Sequence, residues 1–506
     1  MSRIFKSTLS MCMLIFLFAC RSYAQLSGSN QLQYQLGNLP DAKPSDRSAL
    51  YNQLNLNYYH QNIQIGGRLE FFMTADRDQE YAELQQKYIQ YQTGNFEIKI
   101  GNFYESLGQG LLLRTYEIPG VIYEDVGSRQ QYGFYKDIEG AELKYYNTWL
   151  NIKAIYGHPL DLLKPPAKGH TNRRPNLIQG GEISIIVLDY FSPGILYLHS
   201  NNEFDKNEFT GINSTGSFNF GLQYYLEYAQ SLREQDNYFQ LGKNGQHAMY
   251  GSISQSFDMI SISLEIKDYQ NFTLNFNDPP SLVKEHARTL LNRGTHVIQP
   301  LNERGYQIEG IINLGSINTM TLNHAFAENN FGNHLSFFRE YYADLNYYIT
   351  KKIVSKVFID WSQDEIVNNV NRWTGGILID QQLTSHWSSI MDLQAQTFER
   401  DYGAGSSFNH KVKNFLVDLA ISYSPVLSIE INIEATHDPL ESDTLFDLAN
   451  TDYTIWAGSF INYEFNQNHT FSLFYGKRRE GNACSGGICY EVQPFEGIEF
   501  TLNSIL

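Results

Sequence analysis

The sequence predicts an all-β chain, a transmembrane antiparallel β-barrel of about 24 strands (22–26). Three observations carry this. From about residue 50 to the end, apolar side chains fall on every second position. Most segments with that pattern are about ten residues long, roughly what a tilted strand needs to cross a bilayer. Short and long connections alternate between them. Val426–Ala435 is the clearest segment: Leu427, Ile429, Ile431 and Ile433 take one parity, while Ser428, Glu430, Asn432 and Glu434 take the other. Period two marks a strand with one apolar and one polar face.

The first residues read as a targeting segment. Arg3 and Lys6 precede a run from Met11 to Ala19 that is apolar throughout if Cys12 is counted as apolar, and Ser22-Tyr23-Ala24 offers small residues at the two positions a signal peptidase reads. Cleavage is expected after Ala24, leaving residues 25–506 as a single barrel domain. A lipoprotein site at Leu17-Phe18-Ala19-Cys20 is the rival, and Phe18 fits it poorly. Past this segment no apolar run is long enough for a membrane-spanning helix.

Composition agrees with a barrel. Mean hydropathy is −0.37, and a barrel strand shows lipid only half its residues. Tyr (35) and Phe (32) are abundant, as aromatic girdles at both interfaces require. Trp149, Trp361, Trp373 and Trp387 fall near expected strand ends, and Trp456 lies a few residues in. The formal charge is −17, and the first 24 residues hold three cations and no acid, so the exported chain is more acidic still. This argues against nucleic-acid binding, which needs a basic footprint.

Hairpins follow in order. Leu54, Leu56 and Tyr58 lead through His60-Gln61-Asn62 into Ile63, Ile65, Leu69, Phe71 and Met73. Ile89 and Tyr91 turn at Thr93-Gly94-Asn95 into Phe96, Ile98 and Ile100. Short turns are expected near Asn147, Ser192-Pro193-Gly194, Phe257-Asp258, Gly315-Ser316, Lys351-Lys352, Ser385-His386, Ser424-Pro425 and Asn466-Gln467. Longer connections span roughly 102–136, 158–177, 229–246, 271–304, 437–451 and 479–493. Short turns would be periplasmic and long loops extracellular. The even count needs a weak strand at Phe209–Ser214. Ile498, Phe500, Leu502 and Leu506 make the last segment an amphipathic strand, ending on Leu506 where an aromatic residue is usual. A β-sandwich of this length would divide into domains, and no repeat suggests a propeller or solenoid.

Outside the targeting segment the only cysteines are Cys484 and Cys489, in Cys-Ser-Gly-Gly-Ile-Cys. In an exported chain they are expected to form one small-loop disulfide. Gly-x-Ser-x-Gly, His-Glu-x-x-His and phosphate-cradling loops are absent, so no enzymatic constellation, cofactor or metal site is expected. The scattered histidines, His286 and His296 among them, read as hydrogen-bonding surface residues.

Two connections carry the functional candidates. The first runs Gly101-Asn102-Phe103-Tyr104-Glu105-Ser106-Leu107-Gly108-Gln109-Gly110-Leu111-Leu112-Leu113-Arg114-Thr115-Tyr116-Glu117 and on through Asp125-Val126-Gly127-Ser128-Arg129. In porins a long loop after a comparable strand folds inward, so Arg114, Glu117, Asp125 and Arg129 are the candidates for a pore constriction. The competing reading is a surface loop. The second is Asn277-Asp278-Pro279-Pro280-Ser281-Leu282, where Ser281 could cap a short helix through Leu291 that plugs or covers the lumen.

The segments Gly101–Glu117, Asn277–Pro280 and Cys484–Glu491 together resemble an uncharacterised family of predicted outer-membrane proteins from Bacteroidota, a domain-of-unknown-function group. The resemblance spans most of the chain. It implies a barrel and a compartment, and assigns no substrate or catalytic residue.

The leading expectation is a porin-like passive channel for small polar solutes, with polar inward positions such as Glu97, Lys99, Glu430 and Glu434 lining a wet lumen. Its partners would be outer-membrane lipid and, during insertion, the barrel-assembly machinery. An energy-coupled transporter would carry a plug domain of well over a hundred residues before its first strand, and about 5–25 precede it here. The alternative is a non-transporting barrel that anchors or scaffolds a surface or secretion complex.

Overall fold

The computed structural model describes residues 25–506 apart from 41, 44, 163, 167–172, 203–205, 233–245, 283–284, 297–301, 316, 333, 402–408, 442–451 and 486. The expected targeting segment lies outside the described residues. Twenty-four antiparallel strands form one sheet. It closes because the first strand, Gln25–Asn38, pairs with Asp46–His60 on one side and with the last strand, Phe495–Ile505, on the other. Closure leaves no edge with unpaired backbone groups.

Alternation sorts each strand into two faces. In Ile260–Gln270, Ile260, Ile262 and Leu264 are exposed outside, while Lys267 and Tyr269 are buried within. The outer belt is apolar all round, including Ile100, Ile183, Ile195, Ile359 and Ile431. A contiguous apolar surface of this extent needs a non-aqueous solvent. Aromatic residues mark its borders: Trp149 and Trp387 at the short-turn end, and Tyr341, Trp361 and Trp373 in register nearer the long-loop end.

The weak segment Phe209–Ser214 is part of a full strand, Lys206–Ser217. One expected turn moves. Ser192-Pro193-Gly194 opens the strand Ser192–Asn201 instead of reversing the chain, and the reversal spans residues 186–191, closed by the Leu188–Phe191 bridge. Proline is tolerated as an early strand residue, so Pro193 was a poor turn marker. The helix expected from Ser281 to Leu291 shrinks to one turn, Thr289–Asn292, entered at Arg288 with no side-chain cap. Arg288, Leu290 and Arg293 are held by the barrel wall instead.

Candidate functional site: a lumen occupied by two inserted loops

The connection between Phe96–Phe103 and Ile138–Tyr146 folds into the barrel. Its sequence divides it into two hairpins. The first pairs Ser106–Leu107 with Leu113–Arg114, and the second pairs Tyr116–Glu124 with Gln131–Lys136. Leu107, Leu111, Leu112 and Leu113 are fully buried against inward-facing Ile155, Ile178, Leu196, Leu198 and Phe209 of the wall. Burying a leucine side chain stabilises by about 2 kcal/mol, so this cluster holds the first hairpin inside.

Gly108-x-Gly110 belongs to the tip. Its amides meet wall carboxylates: Gly108 N donates to Glu182 (3.1 Å) and Gln109 N to Glu227 (2.7 Å). Gly108 has φ +58°, and a Cβ there would sit 2.4 Å from the Glu227 carboxylate. Only glycine combines that dihedral with that approach. Glu105 is anchored by Lys144 (2.7 Å) and Lys153 (3.1 Å). Burial opposes its charge, but the hydrogen bond with Glu142 and these two ammonium groups hold its carboxyl down to about 2.

The second hairpin lies along a different stretch of wall, the strands Asp46–His60, Ile63–Thr74 and Tyr81–Thr93. Tyr132 packs with Tyr51, Phe72 and Tyr81, Gly133 N donates to Glu70 (3.2 Å), and Gln131 donates to Gln33 (2.8 Å).

The four constriction candidates have separate partners and do not form one ring. Glu117 is ion-paired with Arg68 of the wall and accepts from the Tyr104 hydroxyl (3.0 Å). Arg114 donates its backbone N–H to Asn277 (2.7 Å). Asp125 and Arg129 build the tight turn of the second hairpin: Ser128 caps onto Asp125, and Arg129 N bonds back to the Asp125 carbonyl (2.8 Å). The Arg129 guanidinium is buried on Glu124 (2.7 Å) and the Pro494 carbonyl (2.9 Å). Glu117 lines a cavity.

The connection after Ile260–Gln270 is a second insert. Phe272, Leu274 and Phe276 join the leucine cluster. Asn277 is the joint between the inserts, donating to the carbonyls of Gly110 (2.8 Å) and Leu111 (2.9 Å). Asp278 accepts from Tyr116 (3.0 Å) and Lys136 (2.5 Å). Beyond it, Arg288 meets Asp392, Arg293 meets Glu434, and Gln394 and Gln396 hold Leu290 by its backbone. His286 and His296 are buried in this insert, not at the surface. His296 contacts Asp364 (2.8 Å) and Glu303 (3.6 Å). Burial works against its charge, and these two acids raise its pKa to about 9.

A third hairpin, Gly481–Ser485 with Ile488–Val492, closes over both inserts. Cys484 and Cys489 are disulfide-bonded within it. Tyr490 packs on Phe134 (4.9 Å between centroids), and Gly487 N donates to Glu285 (3.1 Å). The three sequence segments that stood out as motifs thus meet at the joints of one internal assembly.

Two adjoining cavities lie along the wall formed by Gln25–Asn38, His469–Arg478 and Phe495–Ile505. One cavity of about 380 Å³ runs beside Gln33, Gln35, Gln131, Arg478, Tyr490, Gln493, Glu499 and Thr501. Another of about 540 Å³ continues past Gln53, Asn55, Asn57, Tyr88, Lys99 and Glu117 to Asn468 and Ser504 at the short-turn end. Gln31, Gly120 and Asn503 border both. There the Gln31 amide donates to the Gly120 carbonyl (2.8 Å) and forms a neck. Two charge pairs lie beside this route, Arg68 with Glu117 and Arg478 with Glu499, while Lys99 sits over the Tyr88 ring (4.1 Å) and Glu491 borders the first cavity.

These features define a closed 24-strand barrel whose lumen is largely filled by its own loops. The chain belongs to a family of unknown function, DUF6029, whose model matches residues 1–506. No curated protein matches it. Among solved structures, an E. coli P pilus tip assembly intermediate, PapC-PapD-PapK-PapG, is similar with TM-score 0.52 at 9% identity, over 95% of this chain and 60% of that one. The P pilus usher (PapC) translocation pore gives 0.47 at 8% identity, over 95% and 99%. Pseudomonas aeruginosa OccK5 (OpdH) gives 0.41 at 13% identity, over 70% and 96%. At such identities the likeness is one of fold.

Proposed function

We propose that this chain is an outer-membrane channel that passes small, uncharged polar solutes by a side route between its inserted second hairpin and the barrel wall, without enzymatic chemistry. One observation carries the reading. The two cavities that meet at Gln31, Gly120 and Asn503 carry amides and hydroxyls along their length, between the inserted second hairpin and the wall. Neutral hydrogen-bonding groups replace the hydration of a polar solute without selecting for charge. The acidic excess of the chain therefore bears little on the route, where Arg68 and Arg478 are paired with Glu117 and Glu499. Outer-membrane lipid would cover the apolar belt, and the barrel-assembly machinery would insert it.

The filled lumen favours a second reading, a non-conducting barrel that anchors a surface or secretion complex. Reconstitution into planar bilayers and liposomes separates the two. The channel reading expects small, weakly ion-selective conductance and swelling with neutral sugars. Sealed bilayers with folded protein, together with a partner retained through purification from native membranes, would replace it with the anchor.

A further inference from the structure

The second insert carries a group of side chains that its docking does not use. His286 from the insert, Glu340 from Leu335–Thr350 and Asp360 from Ile353–Asp364 converge inside the barrel, 3%, 2% and 0% exposed. One nitrogen and two carboxylate oxygens lie within 4.8 Å of one another. His286 Nε2 is 3.1 Å from Glu340 Oε1, without hydrogen-bond alignment. Both ring nitrogens of His286, Glu340 Oε2 and Asp360 Oδ2 lack a hydrogen-bond partner among the described residues.

Buried polar atoms are nearly always satisfied, and two facing carboxylates cost several kcal/mol each to bury without a countercharge. The nearby cation bears on Asp360 by its charge but spends these hydrogen bonds elsewhere: Arg372 donates to Ser362 (2.7 Å) and to the Gly294 carbonyl (2.5 Å). Ser362 in turn donates to Asp360 Oδ1 (3.1 Å), which leaves Oδ2 directed elsewhere. That is the arrangement of a ligand oriented by an outer partner. The Tyr342 ring covers the imidazole, 4.4 Å between centroids.

We infer that His286, Glu340 and Asp360 bind one divalent first-row metal ion of the zinc type, with water completing the shell. Imidazole and carboxylate donors suit such ions, at about 2.0–2.2 Å from each ligand atom. Ligand atoms around such an ion sit roughly 3.4 Å apart, so the side chains need only small rotations to close on it. Two ligands come from neighbouring wall strands and one from the insert, so the ion clamps the insert to the barrel.

The test uses untagged full-length protein, stripped with chelator in detergent and titrated with Zn²⁺ or Co²⁺. The expected result is one equivalent bound per barrel. X-ray absorption should show nitrogen and oxygen ligands and no sulfur, and protease cleavage after Arg288 or Arg293 should slow when the metal is present. His286→Gln and Asp360→Asn, each checked for folding by heat-modifiable gel mobility, should weaken binding at least tenfold. Absence of stoichiometric binding by the wild-type protein overturns the inference. So does sulfur ligation, or undiminished binding in both folded variants. If neither variant folds, the wild-type stoichiometry and ligand set decide alone.

Discussion

The two sides of the lumen are built from strands of the same kind, yet their inward faces differ. Along Leu150–Pro159, Leu177–Ile185 and Ser192–Asn201 the inward parity holds Ile155, Ile178, Leu196 and Leu198, all dry beneath the first hairpin. Along Gln25–Asn38 and Phe495–Ile505 it holds Gln31, Gln33, Gln35, Thr501 and Asn503, and these border a cavity. An apolar inward parity therefore reports a dry insert, while a polar one either borders a cavity or, as at Gln394, Gln396 and Glu434, holds an insert by hydrogen bonds and ion pairs.

The largest break in that contrast is Leu112→Asp. A carboxylate forced into the dry cluster should cost about 3–5 kcal/mol of docking and expel the first hairpin. Conductance should rise several-fold, with new protease cleavage near Arg114. Asn277→Ala comes next. It removes three hydrogen bonds between the inserts and leaves two carbonyls unpaired, about 2–4 kcal/mol. Current traces should then flicker between two levels, without full opening.

Docking should also depend on pH, in opposite senses at the two inserts. Glu105 titrates low because of Lys144, Lys153 and Glu142, so its contribution is full above about 4.5 and lost as pH falls toward 2. His296 titrates high because of Asp364 and Glu303, so its contribution is full below 6.5 and lost as pH rises through about 9. Protection of the inserts from proteolysis should peak between those limits, and Glu105→Gln should remove only the acid arm. Gln31→Ala is the mildest change: stability within about 1 kcal/mol of wild type and conductance raised by roughly up to twofold as the neck widens.

Much of the frame was legible because period two is a local signal. Strand number, closure order and the short turns followed from it, apart from Pro193, where strand opening and turn look alike. The four charges proposed for a constriction were visible as charges, but their partners Arg68 and Pro494 are brought near by closure alone. The insert helix failed for the same reason: Gln394 and Gln396 satisfy the backbone of Leu290 from over a hundred residues away. One usable signal went unread. Ile195-Leu196-Tyr197-Leu198 is apolar on both parities, which in a barrel strand means that something dry covers the inside.

Thiol labelling at two sites tests the central claim most directly, using Gln31→Cys and Leu196→Cys in separate proteins, with a bulky charged methanethiosulfonate applied during bilayer recording. Rapid labelling of Gln31→Cys that removes most of the current is expected, while Leu196→Cys stays unlabelled and conducts as wild type. Equal labelling of both sites, or a fully labelled Gln31→Cys protein with unchanged current, would contradict the account.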